Sequence, residues 1–387
     1  MDMSGMICPQ NAILWTYRVG YVHSLPVFDR SRPYNELPPL PPTVEVETKP
    51  VLKAVAAARS ALGELKGRTG RLPNPDILLN TLALQEARSS SEIENIFTTN
   101  DELYRGLSMD EAGLTPEQKE VLHYKDALWH GATVIRARPF LSTNLFVDLV
   151  QTLKATNSGI RRVPGTRIAN PVAGKTVYTP PEGEEVIRKL LADLERFANE
   201  DEDGLDPVVK MALIHYQFEA IHPFHDGNGR VGRIVLILYL LLKGLLDQPV
   251  LFLSRYIIEN KRDYYRLLRE VTESGAWEPW VLYMVKAVEL TAAATSRKIE
   301  AIERLLETMT AEARERVPKI YTKELIELLF RQPYCKIGFL VEAGIAERKT
   351  ASRYLGELEK SGLLSSQKMG REMLFVNERL IALLAAG

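Results

Sequence analysis

A mainly helical protein is what this sequence of 387 residues predicts, and three observations point there. Apolar residues recur at helical spacing through most of the chain between about residues 50 and 310. The β-prone pieces of that region are short and gathered in 158–181, where glycines and prolines break them up as a hairpin requires. From Val317 onward a separate small unit begins, with short helical runs followed by two extended pieces.

Composition sets the outer limits. With 45% hydrophobic and 26% charged residues the chain can bury a large core and hold two or more units. A net charge of −1 and a pI of about 6.6 give no global basic field for nucleic acid, although a small basic module fits inside a neutral total. Cys8 and Cys335 lie far apart and form no CxxC, as expected of ordinary thiols in a reducing compartment. MDMSGMICPQ has no positive stretch leading into an apolar one, so no conventional secretion signal is expected. The longest purely apolar run, Ile234 to Leu242, is nine residues, well short of the ~20 that span a bilayer. The expected location is the cytoplasm, with no membrane partner.

The elements follow in order. Pro33, Pro38, Pro39, Pro41 and Pro42 favour an extended path and exclude a continuous helix, so the first fifty residues are expected to form an arm packed on the protein's own surface. Helical spacing begins near Pro50 and stops at Gly67; a second helix is predicted over 76–90. In 89 SSSEIENIFTT 99, Ser90 and Glu94 are four apart and share a face if the helix continues; by itself this is an acidic amphipathic turn. Helices are predicted over 115–136 and 142–157, the latter starting at Ser142, and no role is assigned to His123 or His130. After the hairpin, 182–200 has acidic residues in its first turn, as the helix dipole prefers. Asp206 and Pro207 then supply an N-cap and a first-turn proline for a helix leading to residue 224. His215 falls two turns before His222 and reads as a packing histidine; a zinc site of His215, His222 and Asp226 is rejected, because it would consume His222 as a ligand.

The stretch that carries chemistry is 221 IHPFHDGNGRVGR 233, followed at once by the apolar run. That run reads as a buried helix, which puts Gly227, Asn228 and Gly229 at its N-terminus, where unpaired N–H groups and the helix dipole favour an anion. Arg230 and Arg233, three apart, are expected near one another on the helix surface, reaching back to phosphate oxygens. Asp226 offers a hard oxygen ligand for Mg2+ held jointly with substrate phosphates. His222, with a pKa expected near 7, can take a proton from a hydroxyl about to attack phosphorus. Phe224 reads as the residue that locks the loop into the core, and His225 either as solvated or as a donor that supports the site from behind.

The segment His222–Arg233 resembles the active-site motif of the Fic (filamentation induced by cAMP) family in its adenylylating form, matching every fixed position. The resemblance implies a Fic-type helical core with a β-hairpin flap, and AMP transfer from ATP to a Ser, Thr or Tyr hydroxyl of a target protein. His222 would then be the base, Asp226 the Mg2+ ligand, Gly227, Asn228 and Gly229 the phosphate nest, Arg233 the γ-phosphate ligand, and Arg230 a support for the phosphates. The kinase relatives carry Lys where this chain has Gly229. Ser90-x-x-x-Glu94-Asn95 is similar to the family's inhibitory motif, in which the Glu occupies the second motif arginine, here Arg233. A carboxylate offers a guanidinium the same two-pronged acceptor as a phosphate. The hairpin in 158–181 corresponds to a flap that pairs with an extended target strand; a purely structural hairpin is the alternative. In 247–271 the pattern Asn-Lys-x-x-Tyr-Tyr is similar to the helix after the motif, so Asn260, Tyr264 and Tyr265 are candidates beside the nucleotide base, with core packing or self-modification of the tyrosines the alternative. Helices over 277–309 close the core.

The C-terminal unit, with helices over 322–330, 336–343 and 347–362 and extended pieces around Gly370, resembles a winged helix-turn-helix. Arg348, Lys349, Thr350 and Arg353 stand near the front of its third helix, and DNA contact competes there with protein docking or dimerisation. The domains expected are an N-terminal arm and inhibitory region over 1–110, a catalytic core over 111–310, and the winged unit over 317–387. The partners carried forward are ATP, Mg2+, a protein substrate, a second copy of the chain, and DNA. Two other functions stand beside AMP transfer: removal of AMP from modified protein, and nucleotide-sensing regulation of DNA.

Overall fold

Helix follows helix, interrupted by one hairpin, in the computed structural model, which describes residues 28–70, 75–107, 113–169, 174–331, 333–369 and 372–385. Cys8 and Gly370 lie outside the described residues. The helices up to the hairpin are α1 (Lys49–Thr69), α2 (Pro75–Ile93), α3 (Asn100–Gly106), α4 (Pro116–Ala137) and α5 (Thr143–Lys154). The hairpin pairs β1 (Ile168–Ala169) antiparallel with β2 (Thr176–Tyr178). Then come α6 (Glu184–Asn199), α7 (Pro207–Ile221), α8 (Asn228–Leu242), α9 (Leu253–Glu259), α10 (Lys261–Ser274) and α11 (Trp277–Arg316). The mainly helical class is as expected.

The capping chemistry explains the boundaries. Asp206 accepts from the Val208 amide at 2.8 Å with Pro207 in the first turn of α7, and Ser142 accepts from Leu145 at 3.1 Å to open α5. Thr115 and Gln118 form a reciprocal box at the start of α4, as do Thr99 and Glu102 in front of α3. The helix expected to stop at Gly67 runs two residues further, to Thr69, and Gly70 supplies its cap.

The centre is built from α7 and α8, which are buried on nearly every face. A helix that is apolar all round has nowhere to go but the interior. Around this pair α4, α5 and α6 pack on one side, and α11, a single 40-residue helix where several were expected, packs on another together with α1. The close crossing of α4 over α8 is made at Gly131, where a Cβ would stand 2.5 Å from Leu238 Cδ1. Residues 28–48 form no helix or strand and lie on the body: Leu37 and Val46 are buried, Gln217 Nε2 donates to Pro38 O at 2.9 Å, and Tyr34 N donates to Thr179 O at 3.1 Å.

The last part contains α12 (Lys323–Arg331), β3 (Tyr334–Cys335), α13 (Ile337–Glu342), α14 (Arg348–Lys360), β4 (Ser365–Met369), β5 (Glu372–Val376) and α15 (Glu378–Ala385). Its sheet has the order β3-β5-β4, all antiparallel; β3 and α15 are additions to the expected pattern. The unit leans on the helices that precede the core: α12 packs on α2, Tyr334 Oη donates to Asp101, and Arg105 Nη2 reaches Gln367 Oε1 at 3.3 Å. Cys335 is a buried free thiol, pushed by burial up to about 12 and hence inert. Among the described residues no helix is long and apolar enough to cross a membrane.

Candidate active site

His222 ends α7 rather than sitting free in a loop. It is the C-cap, in the left-handed region at φ 49° and ψ 59°, so the chain reverses at this residue and presents its side chain between α7 and the turn that follows. The turn is held from within: Asn228 Nδ2 donates to Phe224 O at 2.7 Å and its Oδ1 accepts from Phe224 N at 2.8 Å. Phe224 is buried, as expected, and Asn228 acts through its side chain as the brace of the loop while its main chain opens α8. Gly227, the N-cap, has φ 83° and Leu153 packs against it, so a side chain there meets both strain and a wall.

The two arginines part company. Both are buried, not displayed on the helix surface, because each has an acidic neighbour from a different part of the chain. Arg230 Nη1 donates to Glu120 of α4, and its Nη2 lies 3.9 Å from Asp226 Oδ1. Arg233 faces α2: Nε donates to Ser90 Oγ at 2.8 Å, while Nη2 donates to Ser90 O and to Glu94 Oε1, each at 2.9 Å. Burial alone would lower the pKa of Arg233, but Glu94, Tyr264, Tyr124 and Glu219 around it outweigh that and keep it firmly charged.

Ser90 and Glu94 do not share a helix face. Helix α2 ends at Ile93, Glu94 lies in the turn beyond, and Asn95 takes φ 63° to carry the chain away. The two still converge on Arg233, Ser90 from the helix and Glu94 from its end. The carboxylate also lies against Gly229: a Cβ there would collide with Glu94 Oε1 and stand 3.0 Å from Arg233 Nη1. A carboxylate is therefore already seated in the first turn of α8, where backbone N–H groups and the helix dipole favour an anion.

Asp226 is exposed yet tied on both oxygens, Oδ1 accepting from Gly227 N and Oδ2 from Lys154 Nζ, each at 2.6 Å. Burial raises its carboxyl, but Lys154 and Arg230 outweigh that and hold it below the ordinary range. No cluster of three or more His, Cys, Asp or Glu able to hold a metal occurs among the described residues. One carboxylate suits Mg2+, which keeps several waters and binds through one or two carboxylates with substrate phosphates.

The imidazole of His222 is pushed by burial and by the Arg161 guanidinium down to about 4, against the Glu219 carbonyl, Glu94 and Asp226, which pull it up. The expected value near 7 is thus too high, and the ring is neutral across the physiological range. Glu219, one turn before His222, is pushed by burial up to about 7 although Arg233 opposes this, and its Oε1 rests against Gly232. His215 packs between α10 and α11, bonded through Nε2 to Tyr264 Oη at 2.8 Å and stacked on Trp280. Burial drives it down to about 3, and it plays the packing role expected of it. His225 is exposed.

Helical spacing through Tyr256, Asn260 and Tyr264 is interrupted at Asn260, between α9 and α10, where its Nδ2 donates to Tyr256 O at 2.9 Å. Of the three candidates beside the base, Tyr264 is interior, Asn260 is committed to the break, and Tyr265 is 47% exposed while still within the fields of Glu94 and Arg233. Sequence reasoning missed Glu120, Lys154, Glu219 and Arg161, whose roles come from elements distant in the chain. It also missed Glu86, buried in α2, which accepts from Ser254 N at 3.1 Å and anchors the helix carrying Ser90.

Known proteins resemble this chain in three consecutive regions. Residues 52–133 match the profile described as "Fic/DOC family N-terminal", 140–240 that of "Fic/DOC family", and 305–380 that of "Protein adenylyltransferase SoFic-like, C-terminal domain". Protein adenylyltransferase fic-1 of Caenorhabditis briggsae is 34% identical over 138 residues, 33% of this chain and 25% of that protein. A probable protein adenylyltransferase of Aquifex aeolicus is 37% identical over 111 residues, covering 29% and 32% of the two. Protein adenylyltransferase Fic of Drosophila yakuba is 30% identical over 204 residues, covering 49% and 39%. The chain thus spans well under half the length of these relatives. Among solved structures, a Fic family protein from Desulfovibrio desulfuricans G20 superposes with a TM-score of 0.52 at 20% identity, over 88% of this chain and 98% of that one. A fragment of Fic-1 from Caenorhabditis elegans gives 0.50 at 20% identity, over 66% and 74%. Those two likenesses concern the fold alone; the three profiles laid end to end along the sequence make this chain a member of the Fic/DOC family.

Proposed function

We propose that this protein transfers AMP from ATP to a Ser, Thr or Tyr hydroxyl of a target protein, and that Glu94 holds the enzyme in an inhibited state. The observation that carries the reading is the seat of the Glu94 carboxylate, on Gly229 and Arg233 in the first turn of α8. A group that satisfies a carboxylate there satisfies a phosphate oxygen.

In the mechanism, the main chain of Gly227, Asn228 and Gly229 receives the phosphates and Arg233 takes the terminal one once Glu94 has left. Asp226 is the residue that would hold Mg2+, which supplies charge neutralisation on the phosphates. Nδ1 of His222 is buried near the Glu219 carbonyl, so Nε2 is the nitrogen assigned to the target hydroxyl. That nitrogen accepts the proton of the target hydroxyl as its oxygen bonds to the α-phosphorus; the bond from that phosphorus to the bridging oxygen breaks and pyrophosphate leaves. Positioning and charge stabilisation do most of the work. Tyr265 is the residue of the α10 pair free to meet the adenine. The hairpin β1–β2 is the surface for a target strand.

The divisions 1–110, 111–310 and 317–387 are retained as the arm with inhibitory region, the catalytic core and a winged helix-turn-helix. Exposed Arg348, Lys349 and Arg353 on α14 have no carboxylate partner among the described residues, which favours an anionic partner such as DNA for that unit as a second activity. A second copy of the chain is a further partner, and the cytoplasm is the proposed location.

The test is product analysis. The Glu94→Gly variant, given α-labelled ATP, Mg2+ and cell lysate, should yield labelled protein with AMP on a hydroxyl residue by mass spectrometry and an equivalent of pyrophosphate. His222→Ala in the same background should lose ~100-fold or more. Label appearing only as free AMP from pre-modified protein would establish the reverse reaction instead, and equal labelling by His222→Ala would remove the base.

A further inference from the structure

The C-terminal end of α7, which carries His222, is capped from the hairpin segment. Four consecutive carbonyls, the last two of α7 and the two after it, are met by donors from Arg161 and Tyr178. Tyr178 Oη donates to Ala220 O at 2.8 Å, Arg161 Nη2 to Ile221 O at 3.4 Å, Arg161 Nε to His222 O at 2.8 Å, and Arg161 N to Pro223 O at 2.9 Å. Helix ends ordinarily leave such carbonyls to water or to local turns. Arg161 Nη2 also donates to Pro181 O, on the far side of the hairpin, so one guanidinium joins both legs of the hairpin to the residue that carries the base.

We propose that Arg161 and Tyr178 are positioning residues that couple the hairpin to His222, so that a target strand engaged on β2 sets the orientation of the base. This rests on the reading of His222 as the base and of the hairpin as the target surface. Arg161 is 2% exposed and forms no ion pair among the described residues, so its buried charge is spent on main-chain carbonyls. Burying a cation in that way is costly, and it is repaid only if the carbonyls need fixing. The positive end of the side chain at a helix C-terminus is favourable in itself, and beside the imidazole it opposes a lasting second positive charge, so the proton taken from the hydroxyl is passed on. Tyr178, in the strand itself, adds the direct tie from β2 to α7, while its ring stacks on Phe28 at 5.9 Å between centroids. The left-handed backbone of His222 is what this cap holds in place.

The experiment uses the full chain in the Glu94→Gly background, with initial rates of labelled AMP incorporation into lysate proteins at saturating ATP and ATP affinity measured directly by calorimetry. Tyr178→Phe keeps the ring and removes one hydroxyl; Arg161→Met removes every side-chain donor; Arg161→Lys restores the charge. The expected result is a fall of about fivefold for Tyr178→Phe and at least tenfold for Arg161→Met, partial recovery with Arg161→Lys, and an ATP affinity within about twofold throughout. Unchanged rates in folded Arg161→Met overturn the proposal. Where Arg161→Met fails to fold, Tyr178→Phe decides, and a parental rate in that variant overturns it equally. Weakened ATP binding in step with the rate would mean that the cap merely supports the fold. If the parental Glu94→Gly protein labels nothing, or His222→Ala labels as well as it does, the functional reading fails and not the coupling alone.

Discussion

Arg233 Nη2 and Glu94 Oε1 stand 2.9 Å apart although 139 positions separate them in sequence, and the guanidinium is buried while the carboxylate remains 37% exposed. The asymmetry suits a removable occupant on a fixed ligand. Arg233 is locked by Ser90 at Nε and by the bulk of α8, whereas Glu94 hangs from the turn after α2. Arg233→Ala frees Glu94 but deletes the proposed phosphate ligand, so its rate of AMP incorporation should lie at least ~10-fold below that of Glu94→Gly. The double variant should stay equally poor. A double variant as fast as Glu94→Gly would separate Arg233 from the nucleotide.

The pH profile follows from the state of His222. Its folded pKa of about 4 lies below the ordinary 6.5, and a base works only unprotonated, so activity is present above the folded value and lost as pH falls through it. Glu94 raises the imidazole pKa, so removing it cannot move the limb upward. For Glu94→Gly, kcat/KM should hold level from about pH 8 down to about pH 5 and fall only below that. An acid limb centred near the ordinary 6.5 would contradict the role given to burial and Arg161.

Lys154 stands where a cation on Asp226 would stand, with Nζ at 2.6 Å from Oδ2 and 3.1 Å from Glu120 Oε1. A metal held by Asp226 has to displace it. Lys154→Met should lower the Mg2+ concentration for half-maximal rate severalfold, on the order of 1 kcal/mol for a partly exposed pair. An unchanged Mg2+ requirement would mean that Asp226 is not the ligand.

What was legible in the sequence was whatever is decided locally. Asp206-Pro207 declares the start of α7, the apolar run declares α8, and the glycines between them declare the turn that opens it. What was not legible depends on partners far along the chain. Arg230 and Arg233 look like one clamp because they are three apart, and only the packing of α4 and α2 against α8 draws them to Glu120 and to Glu94. The break at Asn260 hides because the apolar pattern runs through it, and Asn260 closes it with its own side chain. Arg161 was silent because its partners are main-chain carbonyls, which have no residue type to match. The pKa of His222 was misjudged for the same reason: burial and a neighbour 61 positions away set it.

The crossing of α4 over α8 depends on Gly131. Replacement by Ala gains about 1 kcal/mol of helix propensity but sets a Cβ 2.5 Å from Leu238 Cδ1 and 3.1 Å from Leu149 Cδ2, and such overpacking costs about 1–3 kcal/mol. The expected outcome is a lower Tm in thermal denaturation. A higher Tm would show that the helices can separate at no cost.

The central claim is that Glu94 occupies the place of a nucleotide phosphate, and the most direct measurement is the initial rate of α-labelled AMP incorporation by wild type and Glu94→Gly across a range of ATP concentrations. Removal of the carboxylate should raise the rate at least ~10-fold, about 1.4 kcal/mol or more of relief in the productive state. ATP should still bind both proteins. No increase at any ATP concentration, with the same lysate and with His222→Ala inactive, would contradict inhibition by Glu94.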